Sequence, residues 1–174
     1  GQIFEAVMAL LLTVILSHYS SKEDFATYDF ILVLISLFSL TSLPGTTTSL
    51  AISIGTQKKI NLNHILINTL KYSLLGSFLL ILCAFYYWLA DQNLELFYTL
   101  LLSAIFFPFL FSFGGINGAY FLGEKKFKQN TIFSIFNSLF LTTVVSTALF
   151  LSDKVFYFIL AYLLGTFLPH FIMY

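Results

Sequence analysis

Six apolar segments joined by polar links too short for anything but hairpins constrain this chain more than any other feature. The segments cover residues 2–17, 25–55, 66–89, 94–120, 131–151 and 155–174, and the links read HYSSKED, TQKKINLNH, ADQN, GEKKFKQN and SDK. A helix crossing a bilayer needs about 20 apolar residues, and every segment meets or approaches that length. Only 9% of the 174 residues are charged, whereas a soluble domain carries about a quarter. The expected fold is therefore all-α: a polytopic membrane bundle of about six transmembrane helices, with no internal domain boundary.

Charge also limits the partners. Eight lysines balance eight acids and there is no arginine, so no basic patch is dense enough to hold phosphates in a row, and nucleic acid is excluded as a partner. Cys83 stands alone in an apolar run, as a small hydrophobe rather than a disulfide or metal ligand. Lysine distribution sets the expected orientation. The second and fourth links, with the helix starts after them, hold Lys58, Lys59, Lys71, Lys125, Lys126 and Lys128, against Lys22 and Lys154 in the odd links. Positive charge stays inside, which puts the N-terminal side of the chain in the cytoplasm and the protein in the cell (inner) membrane. Tyr86, Tyr87 and Trp88, with Phe156, Tyr157 and Phe158, are expected at the outer interface. The ends read as cut, with no initiator methionine and a stop inside an apolar run, so the sequence is expected to be a fragment of a longer protein.

Three segments have a polar face. On the first, Gln2, Glu5, Thr13 and Ser17 fall in a sector roughly 120° wide centred on Ala9, at about 100° per residue. An intramembrane acid such as Glu5 points into a cavity or pairs with a partner; at the headgroup level it does neither. Asp29 reads as an interfacial acid. The second segment starts at a capping box, Ser20 with Glu23 or Ser21 with Asp24, and at about 46 Å is long for one crossing. It contains Pro44-Gly45, where a helix should kink, and a stripe of Ser39, Ser42, Thr46, Ser49, Ser53 and Thr56 at alternating spacings of three and four. That stripe is either a tight packing face or a hydrophilic wall for a polar ligand. The fourth segment has Pro108, and a Gly114–Gly118 pair with Asn117 beside it that reads as helix packing. The fifth has Asn130, Ser134, Asn137 and Ser138 on one side, continued by Thr142.

Catalytic signatures are missing. There is no H-E-x-x-H, G-x-S-x-G or P-loop pattern, and His18, His64 and His170 are far apart in sequence. No catalytic residue, metal site or cofactor is expected, and any transport is not driven by ATP bound to this chain.

The stretches GQIFEAV, ILSHYSSKEDFATYDFILVLISLFSLTSLPGTTTSLA and INGAYFLGEKKFK, in that order and spacing, resemble the N-terminal part of the Wzx-type polysaccharide flippases. These belong to the multidrug/oligosaccharidyl-lipid/polysaccharide exporter superfamily. The sequence departs from that pattern at His18, where relatives often have arginine, and at Ala26, where they usually have glycine. The resemblance implies two pseudo-symmetric lobes around a central cavity, with residues 1–174 as the first lobe, and alternating access. It implies flipping of undecaprenyl-linked oligosaccharide for O-antigen, capsule or exopolysaccharide assembly, with membrane lipids and the polymerase and glycosyltransferases of the pathway as partners. The candidate substrate-facing residues are Glu5, Thr13, Ser39, Ser42, Thr46, Ser49, Asn117 and Asn137, and the hinge is Pro44 with Gly45. The alternatives are a cation-coupled drug or metabolite antiporter of the same superfamily, for which Glu5 is the titratable candidate, and a membrane-embedded transferase.

Overall fold

The computed structural model describes residues 2–43, 45–56, 62–152 and 154–172. Among these residues the chain is all-α: α1 (Gln2–Tyr19), α2 (Lys22–Phe38), a 3-10 turn (Ser39–Ser42), α3 (Gly45–Gly55), α4 (Leu62–Asp91), α5 (Leu94–Gly123), α6 (Phe127–Leu151) and α7 (Val155–Ile172). Six spans are long and apolar enough to cross a membrane: α1, α2 with the 3-10 turn, α4, α5, α6 and α7.

The helices begin and end where local chemistry directs. Of the two possible capping boxes, the chain uses Ser21. Its hydroxyl accepts the Asp24 amide and donates to the Asp24 carboxylate, so α2 starts at Lys22, three residues before the apolar segment. Asn93 caps α5 by accepting the Leu96 amide at 3.0 Å. After α4 and α5 the chain turns through Gln92 and Lys125 with φ of 51° and 57°, the left-handed exit that lets late amides reach back to unsatisfied helix carbonyls, as Lys126 does to Phe121 at 2.8 Å.

The long second segment is not one bent helix. α2 stops at Phe38, the 3-10 turn follows, and Leu43 adopts left-handed φ 56° and ψ 68° before α3 starts at Gly45. The left-handed region is strained for a side chain branched like leucine, and the helical region is disfavoured for a residue preceding proline. Pro44, the expected kink, lies outside the described residues. The break takes up the excess length: the crossing ends near Ser42, and α3 is a separate short helix.

Central α5 touches α2, α3, α4, α6 and α7. Its contact with α4 is built from small residues. Thr69, Ser73, Gly76, Ser77, Leu80 and Ala84 are the buried face of α4, set against Thr99, Leu100, Ser103, Ala104 and Phe107 of α5. Where helices do not gain from excluding water, close approach of small residues and hydrogen bonds between helices supply the association. Pro108 has no amide hydrogen, so the Ala104 carbonyl loses its helical partner. Ser77 replaces it, donating to that oxygen from α4 at 2.5 Å. Such a bond is worth about 0.6–1.7 kcal/mol inside a membrane bundle. At Gly76 a Cβ would collide with the Phe107 ring and, at 2.7 Å, with Thr41 of the 3-10 turn.

Two expectations from the sequence change here. Gly114 and Gly118 are not the close-approach pair: a Cβ there would meet only His170 at 3.9 Å and Asn130 at 4.0 Å. The tight glycines of α5 are Gly115, against Thr47 of α3, and Gly123, where a Cβ would meet Ile54 at 2.6 Å and the Ala51 carbonyl at 2.9 Å. Phe158, expected as an interfacial anchor, is core at 1% exposure, whereas Tyr157 remains exposed. Gly123→Ala should therefore loosen α3 from α5 and lower stability by about 1–3 kcal/mol, read as a drop in melting temperature in detergent. Gly118→Ala should leave the melting temperature unchanged.

Candidate functional site: a polar cavity between α1, α2, α6 and α7

α1 is the least embedded of the spanning helices. It runs along α6, with Glu5 beside Ser134 and Tyr19 beside Phe150, and makes only slight contact with α2. Ile3, Val7, Leu10 and Val14 form its outer, exposed stripe, suited to lipid. The opposite stripe, Gln2, Glu5, Ala9, Leu12, Thr13 and Leu16, lines a cavity of about 740 Å³. From Gln2 to Leu16 this wall is about 21 Å long, most of a hydrocarbon core.

α6 supplies the facing wall through Asn130, Ser134, Asn137, Ser138 and Thr142, spaced so that all five share one side of the helix. α2 contributes Tyr28 and Asp29, α7 contributes Tyr162 and His170, and Gly114 and Gly118 of α5 leave the floor open. Tyr28 and Tyr162 meet edge to face with centroids 6.3 Å apart. The Ser134 hydroxyl donates to Glu5 Oε1, joining α6 to α1. Many other hydroxyls are satisfied within their own helices: Thr13 donates to the Ala9 carbonyl at 3.0 Å, Ser138 to Ser134 at 3.0 Å and Thr142 to Ser138 at 2.9 Å. Each keeps lone pairs free to accept. Among the described residues, Asn137 Oδ1 and His170 Nδ1 are buried without a hydrogen-bond partner. A cavity of this size and mixed lining is in the range of small-molecule sites, about 300–1,000 Å³.

The whole chain, residues 1–174, matches the family described as polysaccharide biosynthesis protein. The chain belongs to the polysaccharide biosynthesis protein family. No curated protein and no solved structure matches it. Membership assigns this multi-helix protein a role in polysaccharide biosynthesis.

In this polysaccharide biosynthesis protein, the structure distributes the residues singled out from the sequence over three places. Glu5, Thr13 and Asn137 are together in the cavity. Thr46 and Ser49, with Gly45 and Ser53, line a separate groove of about 450 Å³ between α3 and Ile65 of α4. Ser39, Ser42 and Asn117 line neither. Ser39 and Ser42 donate to the Ser36 and Ser39 carbonyls at 2.6 Å. Asn117 is buried and its amide donates to the His170 carbonyl at 2.8 Å. That oxygen lies in the last turn of α7, where carbonyls have no partner in the helix; Asn117 thus ties α5 to α7.

Gln2, Tyr28, Asp29, Tyr162 and His170 were not among the sequence-derived site residues, yet all line the cavity. Asp29, read as an interfacial acid, stands on its wall. Its signal was one of position: seven residues from the start of α2 puts it about 10 Å along the helix, deeper than a capping acid. Tyr162 and His170 sit on an apolar segment with no polar periodicity, so only packing could select them.

The two sides of α1 should differ in access to water. With Cys83→Ser as background, Ala9→Cys and Ser138→Cys should react with a water-soluble maleimide in native membranes. Val7→Cys and Leu139→Cys should remain unlabelled.

Proposed function

We propose that this chain forms part of a flippase that moves lipid-linked oligosaccharide across a membrane for cell-surface polysaccharide assembly, with undecaprenyl-linked units as substrate. The observation that supports this reading most is the cavity itself. It is a 740 Å³ space walled by hydroxyl, amide and carboxylate side chains, inside helices whose outer faces are apolar. A soluble core would have little use for such a lining, and sugar hydroxyls match it as both donors and acceptors. Alternating access would move this bundle against a second lobe. The break between Phe38 and Gly45, with Leu43 in the left-handed region, is suited to flexing. The lysine bias puts the Glu5 end of the cavity on the cytoplasmic side of the inner membrane, where lipid-linked sugars would enter. Glycosyltransferases and the polymerase of the same pathway would be its neighbours.

The test is complementation of a strain lacking its own flippase. Asn137→Leu with Ser138→Leu fills the cavity wall with apolar bulk; surface polymer should fall at least tenfold while membrane protein level stays normal. Leu139→Ala, on the outer face, should leave polymer unchanged. Normal polymer from the doubly substituted protein would count against the cavity as the sugar path.

The Glu5–Ser134 hydrogen bond favours a second reading, a cation-coupled exporter in which Glu5 takes up the coupling ion. In that case Glu5→Gln should abolish gradient-driven accumulation in vesicles. Undiminished accumulation would set this reading aside.

A further inference from the structure

We propose that the first turns of α5 and α7 hold one membrane phospholipid whose zwitterionic headgroup carries a primary ammonium, as in phosphatidylethanolamine. This site is separate from the polar cavity and independent of the sugar path. It is a groove of about 570 Å³ between the two helices, and its lining changes along its length. Leu101, Leu102 and Ile105 of α5, with Phe156 of α7, make an apolar slot. At its mouth stand Glu95, in the first turn of α5, and Lys154, one residue before α7. The slot has the depth of one leaflet. From Glu95 to Ile105 it follows α5 for about 15 Å, half of a hydrocarbon core of about 30 Å. An acyl chain of a single leaflet reaches that far, whereas a carrier-lipid tail of many isoprene units is much longer.

Position and charge select the occupant. The lysine bias that puts the N-terminal side of the chain in the cytoplasm puts this mouth at the outer interface. Tyr98 and Tyr157, three residues after Glu95 and Lys154, line the groove and are exposed, at the level where aromatic rings meet headgroups. Ile105, at the foot of the slot, is exposed as well, so a chain can enter sideways from the bilayer. Glu95 and Lys154 are both exposed. They share the mouth without bonding to each other: the ion pair found among the described residues joins Lys126 to Glu124, at the other end of α5. A phosphate on Lys154 and an ammonium on Glu95 would satisfy both charges at once. A primary ammonium offers three N–H donors to the carboxylate. A trimethylammonium offers none, and a glycerol headgroup brings a phosphate beside Glu95 with no cation to offset it. A protein helix laid over the groove would have to supply an opposite charge for each residue or leave both desolvated and unpaired.

The test is native mass spectrometry of the full-length protein, delipidated in detergent and titrated with phosphatidylethanolamine, phosphatidylcholine or phosphatidylglycerol. Each variant is sprayed together with the wild type, so that the ratio of bound lipid reports this groove alone. The wild type should prefer phosphatidylethanolamine to phosphatidylcholine by about threefold or more. Lys154→Gln should lower the binding of phosphatidylethanolamine and of phosphatidylglycerol by about fivefold each. Glu95→Gln should lower phosphatidylethanolamine by a similar factor and leave phosphatidylglycerol unchanged or raised, which also shows that this variant is folded. Leu102→Trp, which fills the slot, should lower both lipids. Equal losses of the two lipids in Glu95→Gln, or equal binding of phosphatidylethanolamine and phosphatidylcholine by the wild type, overturns the proposal and leaves only attraction of phosphate to Lys154. Binding unchanged in all three variants overturns it and assigns the groove to a covering protein segment. Loss of the variant-sensitive phosphatidylethanolamine on adding equimolar undecaprenyl phosphate overturns it in favour of the carrier lipid.

Discussion

The carbonyl of Ala104 is where the bundle's main constraint is most visible. Inside hydrocarbon an unsatisfied backbone group costs several kcal/mol, and Pro108 leaves this one without its helical partner. Ser77 reaches across from α4 to take it at 2.5 Å, and can do so because Gly76, one residue earlier, lets the helices come close enough for Phe107 to fit. The proline, the serine and the glycine thus act as a unit. They seat α4 on α5, and α5 in turn touches α2, α3, α6 and α7. Asn117 does the same at the other end of α5, taking the His170 carbonyl at the end of α7. Ser77 from α4 and Asn117 from α5 thus each complete backbone hydrogen bonding between the central helix and a neighbour.

α1 is placed differently. It packs along α6 and little else, and the polar sides of both helices turn toward a space rather than toward each other. Among the described residues, the hydrogen bond from Ser134 to Glu5 bridges it. The cavity therefore lies between α1, which α6 holds, and the lining residues of α2, α5 and α7. Gly114 and Gly118 contribute by what they lack: side chains there would project toward His170 and Asn130 and reduce the open volume. The same helix α5 presents Gly115 and Gly123 to α3 for close packing, so glycines on different faces of one helix have opposite uses.

The hydroxyl stripe over 39–56 shows how a periodic pattern can be correct in spacing and still mislead about shape. Its alternation of three and four assumes a continuous helix. The chain breaks at the 3-10 turn and Leu43, so Ser39 and Ser42 end in one element and Thr46 and Ser49 in another. The first pair bond to their own backbone and the second pair line a small groove. Thr41 of the turn and Thr47 of α3, which are off the stripe, are the residues that abut Gly76 and Gly115.

The number of spans, their approximate limits and the all-α class were legible in the sequence, because hydropathy and short links act residue by residue and need no knowledge of neighbours. The polar faces of α1 and α6 were legible for the same reason: Gln2, Glu5 and Thr13, like Asn130, Ser134 and Asn137, recur at a helix's own period. Tertiary structure alone decided which faces meet. It turned Asn117 from a candidate ligand contact into a tie for α7, moved the tight glycines from 114 and 118 to 115 and 123, and brought Asp29, Tyr162 and His170 to one space with Glu5. Periodicity specifies direction around a helix axis but not the rotation of one helix against another. That rotation is set by backbone carbonyls seeking partners and by small residues permitting contact, and both depend on atoms distant in sequence.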